Sequence, residues 1–323
     1  MPTPLPPVVV VAGPTAAGKS HVALELARRF RGEIVNADSM QVYRYLDIGT
    51  AKPSLSDRAR VPHHLIDVVT PDVLYNAGRY VREARVAAAA IHARRSVVFL
   101  TGGTGLYIRA FLEGLIEDVD GTSELRRQLE QEAARAAGEG DPTRLHRRLA
   151  DVDPDAAQRI HANDVRRTVR ALELATLHGA PASQLRARHG FADQPYRVLY
   201  LVLDPGRDEL DRRIDARSAA MIDAGLLREC RALRDMGYGP ELRPLQAIGY
   251  RHLMPVVDGS DTLANALPAM QRDTRHFARR QRTWFRKVRD AVWMHPDELA
   301  AIQERVAAFV EASPERSYSD AWM

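Results

Sequence analysis

Hydrophobic positions divide the 323-residue chain into stretches of two kinds. The first kind is a short unbroken apolar run closed by Gly, Asp or Thr: VVVVAG at 8–13, EIVNAD at 33–38, SVVFLTGG at 96–103 and YRVLYLVLD at 196–204. Runs rich in β-branched residues with little polar alternation predict strands buried on both faces. The second kind repeats every three or four residues. KSHVALELARRF, from Lys19, sets Val22, Leu26 and Phe30 on one face, and GRYVREARVAAAAIHARR over 78–95 predicts a helix feeding the third strand. Strands alternating with helices predict a parallel sheet covered on both sides.

Between the third and fourth strands the pattern loses its strand-like runs. From about Gly121 to Pro195 the chain is charged and rich in Ala, Arg and Leu. SELRRQLEQEAARAA, opened by Ser123 as an N-cap, and DVRRTVRALELATLHG both predict helices. After Asp204 the pattern is again helical, through DELDRRIDARSAAMIDAGLLRECRALRDMG, a Pro/Gly-rich turn region and a long basic helix from about Leu267 to Val288. The starting MPTPLPP predicts a short lead-in and ASPERSYSDAWM a weakly ordered tail. No repeat of fixed period is present, which argues against a solenoid.

Composition narrows the class. Hydrophobic residues are 45% and charged residues 27%, ordinary for a soluble globular protein. The net charge of +4 is modest, so any nucleic-acid signal must lie in where the basic residues cluster. The single cysteine, Cys230, has no intramolecular disulfide partner and suggests a reducing compartment. With no secretory signal and no run long enough to span a bilayer, a soluble cytoplasmic protein acting as a monomer is expected.

The chemistry begins at GPTAAGKS, which matches G-x-x-x-x-G-K-[ST] in full between a strand and a helix. Gly13, Pro14, Thr15, Ala16, Ala17, Gly18, Lys19 and Ser20 form a cradle of backbone N–H groups for phosphate oxygens. Lys19 supplies a positive charge, and the Ser20 hydroxyl is the expected Mg²⁺ ligand. The fold class expected is therefore α/β, a P-loop NTPase-like parallel sheet core with an inserted all-helical subdomain. Its core comprises 1–120 and 196–323, the latter including the C-terminal helices, and 121–195 is the insertion. A nucleoside-triphosphate hydrolase would add an acid at the end of a later strand. Here the third strand ends in Thr and Gly, and Asp204, ending the fourth, reads equally well as a turn residue. Asp38 falls at the carboxyl edge of the second strand, where open α/β sheets place ligands, and serves either as a general base or as a cap for the next helix.

Other positions carry weaker signals. Arg272, Arg275, Arg279, Arg282, Arg286 and Arg289 recur at steps of three and four, one helical stripe without an interleaved acid, with Phe277, Trp284 and Val288 on another side. Such a stripe suits a phosphate backbone, and RNA is preferred over a merely solvated face. His63 and His64 are adjacent and read as loop or packing residues rather than metal ligands. Cys230, mid-helix beside Arg231, reads as packing.

Several motifs together resemble the tRNA dimethylallyltransferase (tRNA isopentenyltransferase) family. They are GPTAAGKS, NADSMQVYRYLDIGTAKP, PHHLIDV, TGGTGLY, RIDARSAAMIDAGLLRE, AIGYR and RQRTWFRK, in family order from about Val8 to Trp293. The resemblance implies transfer of a dimethylallyl group from dimethylallyl diphosphate to N6 of the adenosine 3′-adjacent to a tRNA anticodon, with Mg²⁺ as cofactor and the anticodon stem-loop as partner. It implies Asp38 as the base, Thr15 and Lys19 as cradle residues acting on the diphosphate, and Arg217 as the arginine that stabilises the leaving group. On spacing alone Arg217 would be a surface ion pair with Asp211 or Asp215. The resemblance also implies tRNA contacts at Asp38, Ser39, Met40 and Gln41, at Thr104 and Arg126, and at Arg166, Arg167, Thr168, Val169 and Arg170. Further contacts are implied at Gln246, Ala247, Ile248, Gly249, Tyr250 and Arg251, and Arg279 and Arg282 of the stripe join them. The target base would leave the loop stack to reach the cradle. A prenyltransferase acting on free adenine nucleotides would share the cradle but not need the arginine stripe or the insertion. A nucleotide kinase would need the missing acid, and an RNA-binding protein with a vestigial cradle would not need the Lys19, Ser20, Asp38 and Arg217 set.

Overall fold

The computed structural model of the chain describes residues 5–115, 124–189 and 194–312. Ser123 and the C-terminal tail from 313 lie outside them. The chain forms two units, one from Met1–Leu112 with Gln194–Met323, the other Glu113–Asp193. The second starts and ends slightly before the 121–195 limits of the change in texture.

The first unit is built on six strands: β1 (Pro7–Ala12), β2 (Glu33–Asn36), β3 (His63–His64), β4 (Val98–Gly102), β5 (Arg197–Leu203) and β6 (Val292–Met294). Every neighbouring pair is parallel, and the order across the sheet is β3-β2-β4-β1-β5-β6. Helices α1 (Lys19–Arg29), α2 (Leu55–Arg60), α3 (Ala77–Ala93) and α4 (Gly105–Glu113) fall between the early strands. The second unit holds α5 (Glu124–Gly138), α6 (Arg144–Val152), α7 (Pro154–Arg159), α8 (Val165–His178) and α9 (Ala182–His189). The chain returns to the first unit through β5, α10 (Arg207–Asp223), α11 (Leu226–Asp235), α12 (Tyr250–Val257), α13 (Leu263–Phe285), β6 and α14 (Leu299–Glu311).

The valine run makes β1 a central strand, because hydrogen bonds to β4 and β5 on its two edges leave both faces to be covered by helices. Val8 and Val10 point into a core with Tyr80, Ile91, Ile108 and Phe111, drawn from α3 and α4. Val9 and Val11 point the other way, against Val22 and Leu26 of α1, Ile214 of α10 and Ile302 of α14. Three expectations need correction. The strand expected over 33–38 ends at Asn36, so Asp38 stands in the loop beyond it. The basic helix spans 263–285, which leaves Arg286, its C-cap, and Arg289 outside it. β3 and β6 were not anticipated, since two and three residues are too few to show a period.

The second unit packs Leu129, Leu145, Leu149, Ile160, Leu172 and Leu174 into its own core. Asp153 caps α7 at the Ala156 N–H (3.0 Å) and also accepts from the Ser183 N–H (2.8 Å). Glu173, almost fully buried, accepts from Arg126 Nε (3.1 Å) and Arg170 Nη1 (2.7 Å), which joins α5 to α8. Thr168 and Val169 are 1% and 3% exposed, so these two expected RNA contacts have their side chains in the core instead, on the inward face of α8. Arg166 and Arg167 are exposed. No helix among the described residues is long and apolar enough to cross a membrane.

Leu149 is fully buried, and its truncation leaves a cavity that neighbouring helices fill only in part. Leu149→Ala should lower stability by about 2–5 kcal/mol, read as an earlier midpoint of helix loss by circular dichroism in denaturant.

Candidate active site

The carboxyl ends of β1, β2 and β4 bring three loops together. After β1 the chain turns through Gly13–Gly18, with Ala16 and Gly18 left-handed (φ 63° and 83°), and enters α1 at Lys19. Alternating left-handed residues turn successive N–H groups inward, the geometry of an anion nest. Lys19 Nζ donates to Pro14 O (2.7 Å), and Ala17 is buried under the turn. After β2, the Asp38 carboxylate accepts from the Met40 N–H (2.8 Å) through Oδ1 alone. Asp38 thus closes a turn with one oxygen and caps no helix, since the next helix, α2, is capped by Ser54. After β4, Thr104 Oγ1 accepts from the Ser39 N–H (3.0 Å), tying the second loop to the third.

Arg217, on α10, is half-buried and donates through Nη1 to Thr15 Oγ1 (3.3 Å). The surface ion pair with Asp211 or Asp215 does not form, because those carboxylates pair with Arg279 and Arg275 of α13. Two cations and one carboxylate therefore meet in one half-buried region. Burial above all, and the Arg217 charge after it, push the Lys19 ammonium down to about 8, with Asp38 opposing both. Burial also lowers Arg217 below the ordinary arginine range, again with Asp38 opposing.

Two cavities open on this cluster. The smaller, about 110 Å³, is lined by Lys19, Ser20, Asn36, Gln41, His63 and Thr101 among others. The larger, about 340 Å³, is lined by Ser39, Met40, Thr104, Gln246, Ala247, Ile248 and Arg251, and has apolar walls at Ile214, Met221 and Met270. Thr15, Asp38, Thr50, Arg217 and Phe277 line both and so mark their junction. The structure thus gathers the cradle, Asp38, Arg217 and most of the expected contacts from 38–41, 104 and 246–251. Gly249 and Tyr250 are buried, and Tyr250 is fully enclosed with its hydroxyl on Glu229 (2.6 Å), which makes it a packing residue rather than a surface contact.

The arginine stripe also needs correction. Arg282 pairs with Asp204 (2.8 Å) and Arg279 with Asp211 (3.8 Å), Arg275 pairs with Asp215, and Arg272 lies 3.5 Å from Asp273. The acids absent from the stripe come mainly from β5's end and from α10, so much of the stripe clamps α13 to its neighbour. Asp204 also accepts from the Gly206 N–H (3.0 Å), which makes it a turn residue. Exposed cations at the larger cavity are instead Arg243 and Arg280, which form no ion pair among the described residues. The histidines form β3 rather than a loop, His64 bound to Glu33 (2.7 Å) and His63, which also lines the smaller cavity, bound to Val61 O (2.7 Å). Cys230 is buried, as expected, with its thiol pushed up to about 12 by burial.

Three further residues have no site role in the sequence pattern. Gln281, on α13 and 7% exposed, accepts from the Thr15 N–H (2.8 Å) and donates to Gly103 O (2.9 Å), which staples the first loop to the third. A Cβ at Gly103 would fall 2.3 Å from Gln281 Nε2, so this approach requires glycine. Thr101 Oγ1 is buried on the smaller cavity with no hydrogen-bond partner. Phe277 stands at the junction. Gln281 lies in the run RQRTWFRK, Thr101 opens TGGTGLY and Phe277 flanks the arginine stripe, but nothing in the local pattern separates these three from ordinary helix or strand positions.

A family model described as IPP transferase matches residues 41–288. A tRNA dimethylallyltransferase of Desulfatibacillum aliphaticivorans is 47% identical over 304 residues, 94% of this chain and 98% of that protein. A tRNA dimethylallyltransferase 2 of Geotalea uraniireducens is 48% identical over 303 residues, 94% of this chain and 96% of the other. Among solved structures, the full-length tRNA isopentenylpyrophosphate transferase of Bacillus halodurans is similar with a TM-score of 0.70 and 33% identity, over 97% of this chain and 99% of that one. A eukaryotic dimethylallyltransferase acting on tRNA gives a TM-score of 0.81 at 27% identity, over 97% of this chain and 79% of its own.

The geometry generates two expected outcomes. Gln281→Ala leaves a buried N–H and C=O unpaired and should cost about 1–3 kcal/mol, read in the denaturation midpoint together with weaker binding of inorganic diphosphate. For Lys19 the folded value near 8 lies below the ordinary 10.5, so the unfolded chain binds more protons between them. The group's contribution to stability therefore rises with pH across that window. A bound polyanion reverses the balance by favouring the charged ammonium. Diphosphate binding should take up protons near pH 8 and weaken as pH rises further. Calorimetry in buffers of different ionisation enthalpy checks this, with Lys19→Met losing the Lys19-dependent part of the uptake.

Proposed function

The chain belongs to the IPP transferase family of tRNA dimethylallyltransferases, and we propose that it transfers the dimethylallyl group of dimethylallyl diphosphate to N6 of the adenosine 3′-adjacent to a tRNA anticodon. Diphosphate is the other product. One observation carries the reading: a polar cavity on the phosphate cradle meets a larger, more apolar one at Thr15, Asp38 and Arg217. A diphosphate in the first and a purine in the second would bring the breaking and forming bonds together at that junction.

The residues divide the work by charge. The N–H cradle, Lys19 and Arg217 hold the diphosphate and stabilise the negative charge that grows on it as the C1–O bond breaks. Arg217 reaches Thr15 Oγ1, so the arginine and the hydroxyl act on the same end of the donor. The adenine N6 attacks C1, and Asp38 accepts its proton through the oxygen that the Met40 N–H leaves uncommitted. Proximity supplies much of the rate, since both substrates are held at one junction.

Mg²⁺ suits the smaller cavity. Its wall offers the Ser20 hydroxyl and the unpartnered Thr101 hydroxyl, a donor set that fits an ion keeping several waters and binding phosphate oxygens. Ser20 and Thr101 would hold the ion or its waters, and bound there it would supply further positive charge to the leaving group. A kinase reading loses support: Thr101 stands at the end of β4 where the acid is wanted, and Asp204 is committed to Arg282 and to its own turn.

The tRNA would approach the mouth of the larger cavity, where Arg243 and Arg280 offer charges without carboxylate partners among the described residues. On the second unit, the exposed Arg166 and Arg167 are the contacts favoured, ahead of the buried Thr168 and Val169. The protein acts as a monomer in the cytoplasm on this reading.

Incubation with dimethylallyl diphosphate, Mg²⁺ and unmodified tRNA, without ATP, should yield isopentenyl-adenosine by nucleoside mass analysis. Asp38→Asn should slow it on the order of 10²–10⁴-fold while diphosphate binding persists. Formation of ADP from ATP, with no modified nucleoside, would instead restore the kinase.

A further inference from the structure

Phe277 is a large aromatic residue with no place in either core of the first unit. It is 38% exposed, although Ala278 and Gln281 on the same helix are buried. Its ring lines both cavities, and among the five residues that do so it is the one apolar side chain. The polar members at the junction have ready tasks on the reading above: Thr15 and Arg217 on the diphosphate, Asp38 on the amine. The carbon skeleton that passes between the two cavities has no polar group for them to hold.

We infer that Phe277 is a catalytic residue, with its ring against the dimethylallyl group to stabilise positive charge at the allylic carbons and to keep water from C1. The inference rests on the proposed transfer reaction. In that step the C1–O bond breaks with its electron pair leaving on diphosphate. The N6 lone pair forms the new C1–N bond, and the N6 proton passes to the Asp38 carboxylate. Between the two events C1 and C3 of the allyl group share positive charge. The face of an aromatic ring carries negative charge density and attracts a cation, most strongly where water is excluded. Phe277 already does this for a guanidinium: Arg280 lies 5.8 Å from its ring centroid. A saturated side chain of similar bulk would fill the space without the attraction. A gap there would admit water, which would capture C1 and give dimethylallyl alcohol in place of modified tRNA.

The test replaces Phe277 by 4-fluoro-, 3,5-difluoro- and pentafluorophenylalanine, which keep the shape and progressively remove the charge on the ring face. Phe277→Leu and Phe277→Tyr accompany them. Single-turnover rates at saturating donor and tRNA should fall stepwise with fluorination, by about 10-fold for the pentafluoro ring, with KM for both substrates nearly unchanged. Phe277→Tyr should retain the rate, and Phe277→Leu should lose it and release more dimethylallyl alcohol per diphosphate formed. Rates indifferent to fluorination, or a leucine variant as fast and as clean as the parent, would overturn the role of the ring while leaving the transfer reaction intact. A parent protein that makes no isopentenyl-adenosine would remove the transfer reading itself.

Discussion

Two half-buried cations facing one carboxylate set the terms for the rest of the first unit. Lys19 and Arg217 are each disfavoured by burial, Lys19 also by the Arg217 charge, and Asp38 relieves only part of that. Like charges removed in part from water repel, so the arrangement persists because surrounding structure holds it. A polyanion would complete it. The same imbalance that strains the cluster is therefore what would favour a diphosphate there.

Much of the neighbouring structure holds this cluster without neutralising it. Gln281 fixes the Thr15 backbone with an uncharged amide, so it positions the loop and adds no countercharge. The acids of α10, which could have approached Arg217, are engaged by arginines of α13 instead. Glu229 accepts from the Ile48 N–H (2.8 Å), the Asp47 N–H (3.1 Å) and the Gly49 N–H (3.2 Å), and so secures the turn that leads to Thr50 at the junction. Lys52, almost completely buried, holds Asp47 and Asp67 at 2.6 Å and braces the same segment from behind. Negative charge is thus abundant around the site, and each of these carboxylates is committed elsewhere before it can reach Lys19.

The parts legible in the sequence are those whose information is local. The valine run of β1, the glycines of the first loop and the periodic face of α1 each announce themselves within a dozen residues. Asp38 was legible because it comes just after a strand, and Arg217 because its motif resembles a family's. What was hidden depends on distant partners. The arginine stripe is a true helical face, but the acids that hold Arg275, Arg279 and Arg282 lie 60 to 78 residues away in sequence, so spacing along α13 could not reveal the clamp. Gln281 meets Thr15 across 266 residues, and Tyr250 is buried because Glu229 and Gly49 happen to surround it. β3 and β6 exist through pairing with longer strands rather than through any pattern of their own.

The hydroxyl at Thr101 reflects the same constraint on charge. β4 pairs Thr101 with Val11 of β1 and with Asn36 of β2, so its side chain opens on the cavity that Lys19 and Ser20 line. A carboxylate at that point would sit among the very cations that the scaffold shields from acids, and would weaken their hold on a departing diphosphate. It would also set a second carboxylate on the cavity that Asp38 lines, where like charges disfavour each other's ionisation. A neutral hydroxyl avoids both effects and can still bind an ion's water or a phosphate oxygen. On the proposed chemistry the lack of an acid there is consistent with its needs: a base would have to remain ionised beside a leaving group that calls for all the positive charge at hand.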